Sequence, residues 1–239
     1  MDNNSIADNP LGEEMDVADE NLVAMIRDAD LPSRRSFLRR SAAAGAGALA
    51  LAIGSSNAAL AHDGDDVDDV DVLNFALTLE HLEYAFYRDG LERFDKRDYR
   101  SATILRGFSN RIRGDVQQNL EDARDHELTH VETLTTLVEQ LGGTPVEELC
   151  YDFGYDTFSE FLGIAAVLEN TGVSAYTGAI NLIEDEDLIQ AGATIATVEA
   201  RHASYFNVLN GESPYPEAFD PTLNQGEVLD AIEGFILEC

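Results

Sequence analysis

From residue 70 onward, apolar positions fall into four long stretches with the three-and-four spacing of amphipathic helices. The first runs through Leu73, Ala76, Leu77, Tyr84 and Tyr87, within a helix expected from about Val70 to Arg88. The second, about Asp115 to Leu141, sets Val116, Leu120, Ala123, Leu134, Leu137 and Leu141 on one face, and Gly142-Gly143 supplies its stop. The third is capped by Thr157-Phe158-Ser159-Glu160 and carries Leu162, Ala165, Ala166, Val173, Tyr176 and Ile180 towards Glu184. The fourth carries Leu188, Gly192, Ile195, Phe206 and Leu209 and ends near Asn210-Gly211. The pattern predicts an all-α four-helix bundle. Its Asp185-Glu186-Asp187 turn is too short for anything but an antiparallel return, whereas residues 142–156 can cross the bundle and leave the second and third helices parallel. Thr144-Pro145-Val146-Glu147 has the form of a capped helical turn within that crossover, and Gln225 to Leu237 reads as a short fifth helix.

Six polar residues sit on the buried side of these stripes. Glu127 and His130 form a Glu-x-x-His pair, and the same pair returns at Glu199 and His202. Residues three apart share a helix face, so each pair projects an oxygen and a nitrogen ligand inward. Glu80 and Glu169 lie on the other two stripes, each seven residues before a tyrosine, Tyr87 and Tyr176. The chain is thus a degenerate repeat of two helical hairpins. A buried carboxylate is costly unless neutralised, and four carboxylates with two imidazoles match the needs of two metal ions. Mutual hydrogen bonding among polar core residues is the alternative. Glu83, one turn beyond Glu80, rivals it; Glu80 is preferred because its spacing to tyrosine is the one that repeats. His81 and His126 adjoin the proposed ligands but lie about 100° away around their helices, and neither is assigned as a ligand. Tyr87 and Tyr176 are candidates for hydrogen bonding to the carboxylates or for giving up an electron, with plain packing as the alternative.

These residues resemble the ferritin-like di-metal carboxylate proteins, whose bundle core is built from the same ligand pattern. Asn74 to Glu83, Gly172-Val173-Ser174-Ala175-Tyr176 and Ala196 to His202 are most similar to the ferritin-like domain family that includes plant desiccation-related proteins. The resemblance covers roughly residues 70–239 and implies a ferritin-like bundle with a long crossover and a short C-terminal helix. Two metal ions are its implied cofactors, iron first and manganese second, since hard carboxylates with one imidazole per metal suit both and the absence of thiolates disfavours structural zinc. Oxidation of ferrous iron or handling of dioxygen or peroxide would follow. The other readings are a stress or envelope scaffold in which metal is structural or absent, and peroxide dismutation of the manganese catalase type.

Charge and the N-terminal region complete the picture. The chain holds 46 acidic and 15 basic residues, a net charge of -31, which excludes nucleic acid as a partner and suits a halophilic protein, whose repulsions concentrated salt would screen. Residues 1–33 have no periodicity that would bury a face and read as disordered. Ser33-Arg34-Arg35-Ser36-Phe37-Leu38-Arg39-Arg40, followed by an Ala- and Gly-rich apolar run ending at Ala59-Leu60-Ala61, reads as a signal for the twin-arginine export machinery. Cleavage after Ala61 is expected, with an uncleaved membrane tether as the alternative. The organisation is a leader region at 1–61, an acidic linker at 62–69 and one helical domain at 70–239. Arg88 to Arg113 gather eight basic side chains, expected to form a short helix and loop paired with neighbouring acids. Export places Cys150 and Cys239, the only cysteines, where disulfides persist, so they are expected to pair.

Overall fold

The computed structural model describes residues 68–239. The acidic N-terminus, the segment expected to be a twin-arginine leader and all but the end of the acidic linker lie outside the described residues.

Six α-helices order the described chain: α1 (Asp69–Arg93), α2 (Lys96–Ser101), α3 (Asn110–Gln140), α4 (Phe158–Ala179), α5 (Glu186–Leu209) and α6 (Gln225–Ile232). The long helices begin at side-chain caps. Asp68, Ser109, Thr157 and Asp185 each accept a hydrogen bond from a backbone N–H of the first turn, and Thr157 and Glu160 complete a capping box. The two Glu-x-x-His helices, α3 and α5, end alike. Gly142 and Gly211 take positive φ, while Gly143 N–H donates to Val138 and Glu212 N–H to Asn207, closing a Schellman motif in both.

Packing fixes the directions of the helices. Leu73 and Leu77 of α1 share one apolar cluster with Leu134 and Val138 of α3, whereas Leu82, Ala85 and Phe86 share the other with Val116 and Leu120. These helices are therefore antiparallel. Tyr176 of α4 clusters with Leu188 of α5, and Phe161 with Phe206, giving a second antiparallel hairpin. The late residues of α3 and α4 occupy the same cluster, so those two helices run parallel, as the long crossover requires. One end of the bundle is aliphatic and the other aromatic, with Phe86 stacked on Phe161 at 4.4 Å between ring centroids.

Three local expectations need correction. Residues 144–149 form no helical turn. The side chain of Asn74 donates to Thr144 O at 3.1 Å and accepts from Val146 N at 3.0 Å, holding this segment extended along α1. The crossover then tracks α1 past His81, Arg88 and Arg93, which meet Val146 O, Glu148 and Asp156. The apolar face of α3 also drifts: Val138 is buried where Leu137 and Leu141 were expected, and Leu141 is exposed. Finally, the terminal helix stops at Ile232. Residues 233–235 form a 3-10 turn, and β2 (Ile236–Leu237) pairs antiparallel with β1 (Cys150–Tyr151) of the crossover, beside the Cys150–Cys239 disulfide. A strand edge offered by the crossover gives this tail backbone partners that an isolated helix end lacks.

The basic stretch forms α2, a 3-10 turn at Ile104–Gly107 and the start of α3, with Tyr99 buried and its hydroxyl donating to Phe94 O at 2.8 Å. No helix among the described residues is long and apolar enough to cross a membrane.

Candidate metal centre

Between the two apolar clusters lies a layer of buried ionisable groups. Each bundle helix brings one glutamate to it: Glu80 from α1, Glu127 from α3, Glu169 from α4 and Glu199 from α5, all completely buried. His130 and His202 join them one turn after Glu127 and Glu199. The six residues singled out in the sequence are thereby brought to one place. They divide into two donor groups, Glu80, Glu127, His130 and Glu199 on one side and Glu127, Glu169, Glu199 and His202 on the other. Within each group the ligand atoms lie within 4.8 Å of one another. Glu127 and Glu199 belong to both groups, while Glu80 belongs only to the first and Glu169 only to the second. Sequence spacing alone could not sort the carboxylates in this way.

The donor chemistry fits a pair of cations. Nδ1 of His130 stands 3.1 Å from Glu80 Oε2, 3.0 Å from Glu127 Oε2 and 3.2 Å from Glu199 Oε1. One ring nitrogen carries at most one hydrogen, so it cannot serve three oxygens. Nδ1 of His202 approaches Glu127 Oε1 to 3.0 Å and Glu169 Oε2 to 3.3 Å, yet this nitrogen and both oxygens lack a hydrogen-bond partner, as do both oxygens of Glu199. Buried polar atoms are almost always paired. Donors that converge this closely, several of them without a hydrogen-bond partner, could hold a metal ion.

Tyrosines hold the unshared carboxylates. The hydroxyl of Tyr87 donates to Glu169 Oε1, and that of Tyr176 donates to Glu80 Oε1. The assignment is crossed: each hairpin's tyrosine orients the other hairpin's glutamate. Burial, with the adjoining carboxylates, pushes both phenol pKa values well above the usual range, so both hydroxyls remain donors.

In the metal-free protein, protons take the place of cations. Burial lifts Glu80 to about 7. Burial, reinforced by neighbouring carboxylates, raises Glu199 well above the ordinary range, and Glu169 is also raised, chiefly by burial. Burial alone would raise Glu127 too, but His130 and His202 outweigh it and hold Glu127 at about 2. Burial would lower both histidines; the facing carboxylates instead push His130 up to about 12 and His202 up to about 11. The site therefore holds two imidazolium charges against its carboxylates when no metal is bound.

Two further residues complete the layer. Glu83, treated in the sequence as a rival to Glu80, is buried beside it. Its carboxylate projects inward, towards Gly172 of α4, on the turn of α1 that follows Glu80. His126, assigned to no ligand role, lies at the surface and reaches inward to His202, with 3.0 Å between His126 Nδ1 and His202 Nε2. His81 turns away to the crossover, its Nε2 3.2 Å from Val146 O.

Comparison with known proteins agrees with this architecture. The model of the ferritin-like domain matches residues 68–212. Protein rds1 of Schizosaccharomyces pombe is 26% identical over 171 residues, which is 72% of this chain but 40% of the yeast protein. The chain thus spans less than half the length of that relative. A bundle with this buried glutamate and histidine layer, matched over more than half its length by the family model, belongs to the ferritin-like domain family.

Proposed function

We propose that this chain is an exported di-metal protein whose paired site, loaded with iron, transfers electrons from ferrous iron to dioxygen or peroxide. The observation that carries the reading is the pair of four-residue donor groups sharing Glu127 and Glu199. Glu80, Glu127, His130 and Glu199 would hold one ion, and Glu127, Glu169, Glu199 and His202 the other. A bound pair of redox-active ions supplies one-electron steps in twos, as reduction of an O–O bond requires. The protein's part is to position and to exclude water. Tyr87 and Tyr176 fix the unshared carboxylates, and the flanking apolar clusters keep the layer dry. A cavity of about 30 Å³ lined by Leu73, Ala76, Leu79 and Leu134 lies against Tyr176. Its apolar walls suit a small uncharged molecule such as dioxygen better than an ion. Manganese fits the same donors, and peroxide dismutation would then be the reaction.

Export rests on the twin arginines Arg34 and Arg35 with the apolar run that follows, and the acidic composition suits work in concentrated salt. Exchanging both arginines for lysine should leave the precursor inside the cell. For the metal centre, metal content and melting temperature in high salt are measured for wild type, His130→Ala and His202→Ala. Two iron or manganese ions per wild-type chain, and loss of at least one in each variant, are expected. Retention of two ions by both variants would refute the ligand assignment. Trace metal in wild type, with melting indifferent to chelator, would leave a stress or desiccation scaffold as the function.

A further inference from the structure

The repeat that relates α1 to α4 sets Glu80 against Glu169 and Tyr87 against Tyr176, and between them one of its buried mismatches involves a charge: α1 has Glu83 where α4 has Gly172. Glu83 is 2% exposed, and its Oε2 has no hydrogen-bond partner. Across from it, a Cβ on Gly172 would stand 3.1 Å from Glu83 Oε1 and 3.4 Å from Glu199 Oε2. The missing side chain thus leaves a notch into which both carboxylates project. Neither side of this arrangement is explained by packing. An aliphatic residue at 83 would fill the volume without stranding a polar atom, and burying a carboxylate without a partner is costly.

We propose that Glu83 is a fifth carboxylate ligand of the metal pair, entering beside the shared ligand Glu199 through the space that Gly172 leaves. The proposal rests on the di-metal reading above and adds to it a preference of charge. Four carboxylates cancel two divalent ions. A fifth matches a pair whose total charge has risen, as it does when ferrous ions become ferric, so this centre is built to hold its ions through oxidation.

The test is anaerobic titration of the metal-free full chain with Co²⁺, followed by calorimetry and visible absorption, on wild type, Glu83→Gln, Gly172→Ala and the double variant. Glu83→Gln keeps the shape and removes the ligand charge. It should weaken Co²⁺ binding by at least about tenfold, a loss that even an outer partner of a metal ligand commonly causes, and should change the Co²⁺ absorption bands. Its metal-free melting temperature should be no lower than wild type, which separates lost ligation from misfolding. Gly172→Ala should weaken binding by displacing Glu83, and should have little further effect in the Glu83→Gln background. If wild type binds two Co²⁺ and Glu83→Gln binds them with unchanged affinity and spectrum, Glu83 is a buried bystander and this proposal alone fails. If wild type does not bind two Co²⁺, the di-metal reading fails with it.

Discussion

His126 Nδ1 lies 3.0 Å from His202 Nε2, with the two rings nearly parallel at 5.3 Å between centroids. When His202 is neutral and its Nε2–H is donated to His126, its Nδ1 lone pair is left facing Glu127 and Glu169, as a metal ligand requires. The hairpin repeat has Val198 where α3 has His126, and valine offers an imidazole no such partner. His126→Ala should therefore weaken one of the two metal positions by about 10- to 100-fold and leave the other nearly unchanged. Stepwise Co²⁺ calorimetry would resolve the two affinities; equal losses at both positions would show that His126 acts on the fold as a whole.

The crossed tyrosines make a second prediction. Phenylalanine at position 87 or 176 fills the same volume but leaves Glu169 Oε1 or Glu80 Oε1 without its donor. Stranding a buried acceptor costs about 1 to 3 kcal/mol, so each variant should lower the unfolding free energy of the metal-free protein by about that much and bring its denaturation midpoint down with it. Unchanged midpoints in both variants would mean that the hydroxyls only pack.

Much of the site was readable because its residues break an apolar stripe, and a glutamate or histidine at such a position carries its own signal. Glu80, Glu127, His130, Glu169, Glu199 and His202 are found this way, and the helix-stop glycines Gly142 and Gly211 place the bundle around them. What periodicity cannot convey is what covers a helix from outside. Residues 144–156 run along α1, and Leu223 N–H donates to Ser174 O of α4 at 3.0 Å, so both helices are buried on more than one face. Glu83 belongs to the layer for a different reason, since its carboxylate faces Gly172 of α4 inside the bundle, although its spacing ranked it below Glu80. The β1–β2 pairing was invisible for a related reason. A two-residue strand has no period of its own, and only the neighbouring crossover turns Ile236–Leu237 from helix end to strand.

Cys150 and Cys239 close a loop with a sequence separation of 89 and tie the chain's last residue to the crossover. In the chain-entropy account such a bridge contributes on the order of 4 to 5 kcal/mol, most of it by restricting the unfolded chain. Cys239→Ser should lower the urea midpoint without changing metal content, because the disulfide and the metal layer share no residue. Thiol labelling of the denatured, unreduced wild type should find no free cysteine, and two labelled thiols would refute the pairing.

The metal-free protein should lose stability as pH rises, and the metal-loaded protein should not. Above about pH 4.5 the unfolded chain has begun to release protons that the folded core retains. Glu80 keeps its proton until about 7, Glu199 and Glu169 are raised in the same direction, and His202 and His130 hold theirs until about 11 and about 12. The raised histidines contribute stability that is complete below their ordinary value near 6.5 and is lost as pH climbs towards their folded values. The raised carboxyls act in the same sense from about 4.5 upward. Glu127 is opposite in sign: held at about 2, it contributes stability above its ordinary range that disappears as pH falls through 2. Across these groups, stability of the metal-free protein therefore declines as pH rises from about 4.5. A bound cation must displace the imidazolium protons, so uptake releases protons and affinity grows with pH. Melting temperatures taken from about pH 5 to about pH 8 in high salt, which screens the exposed acids, should fall without metal, and the gap to the Fe²⁺- or Co²⁺-saturated protein should widen steadily. A gap that stays constant over this range would show that the two histidines are not the groups that give up protons to the metal.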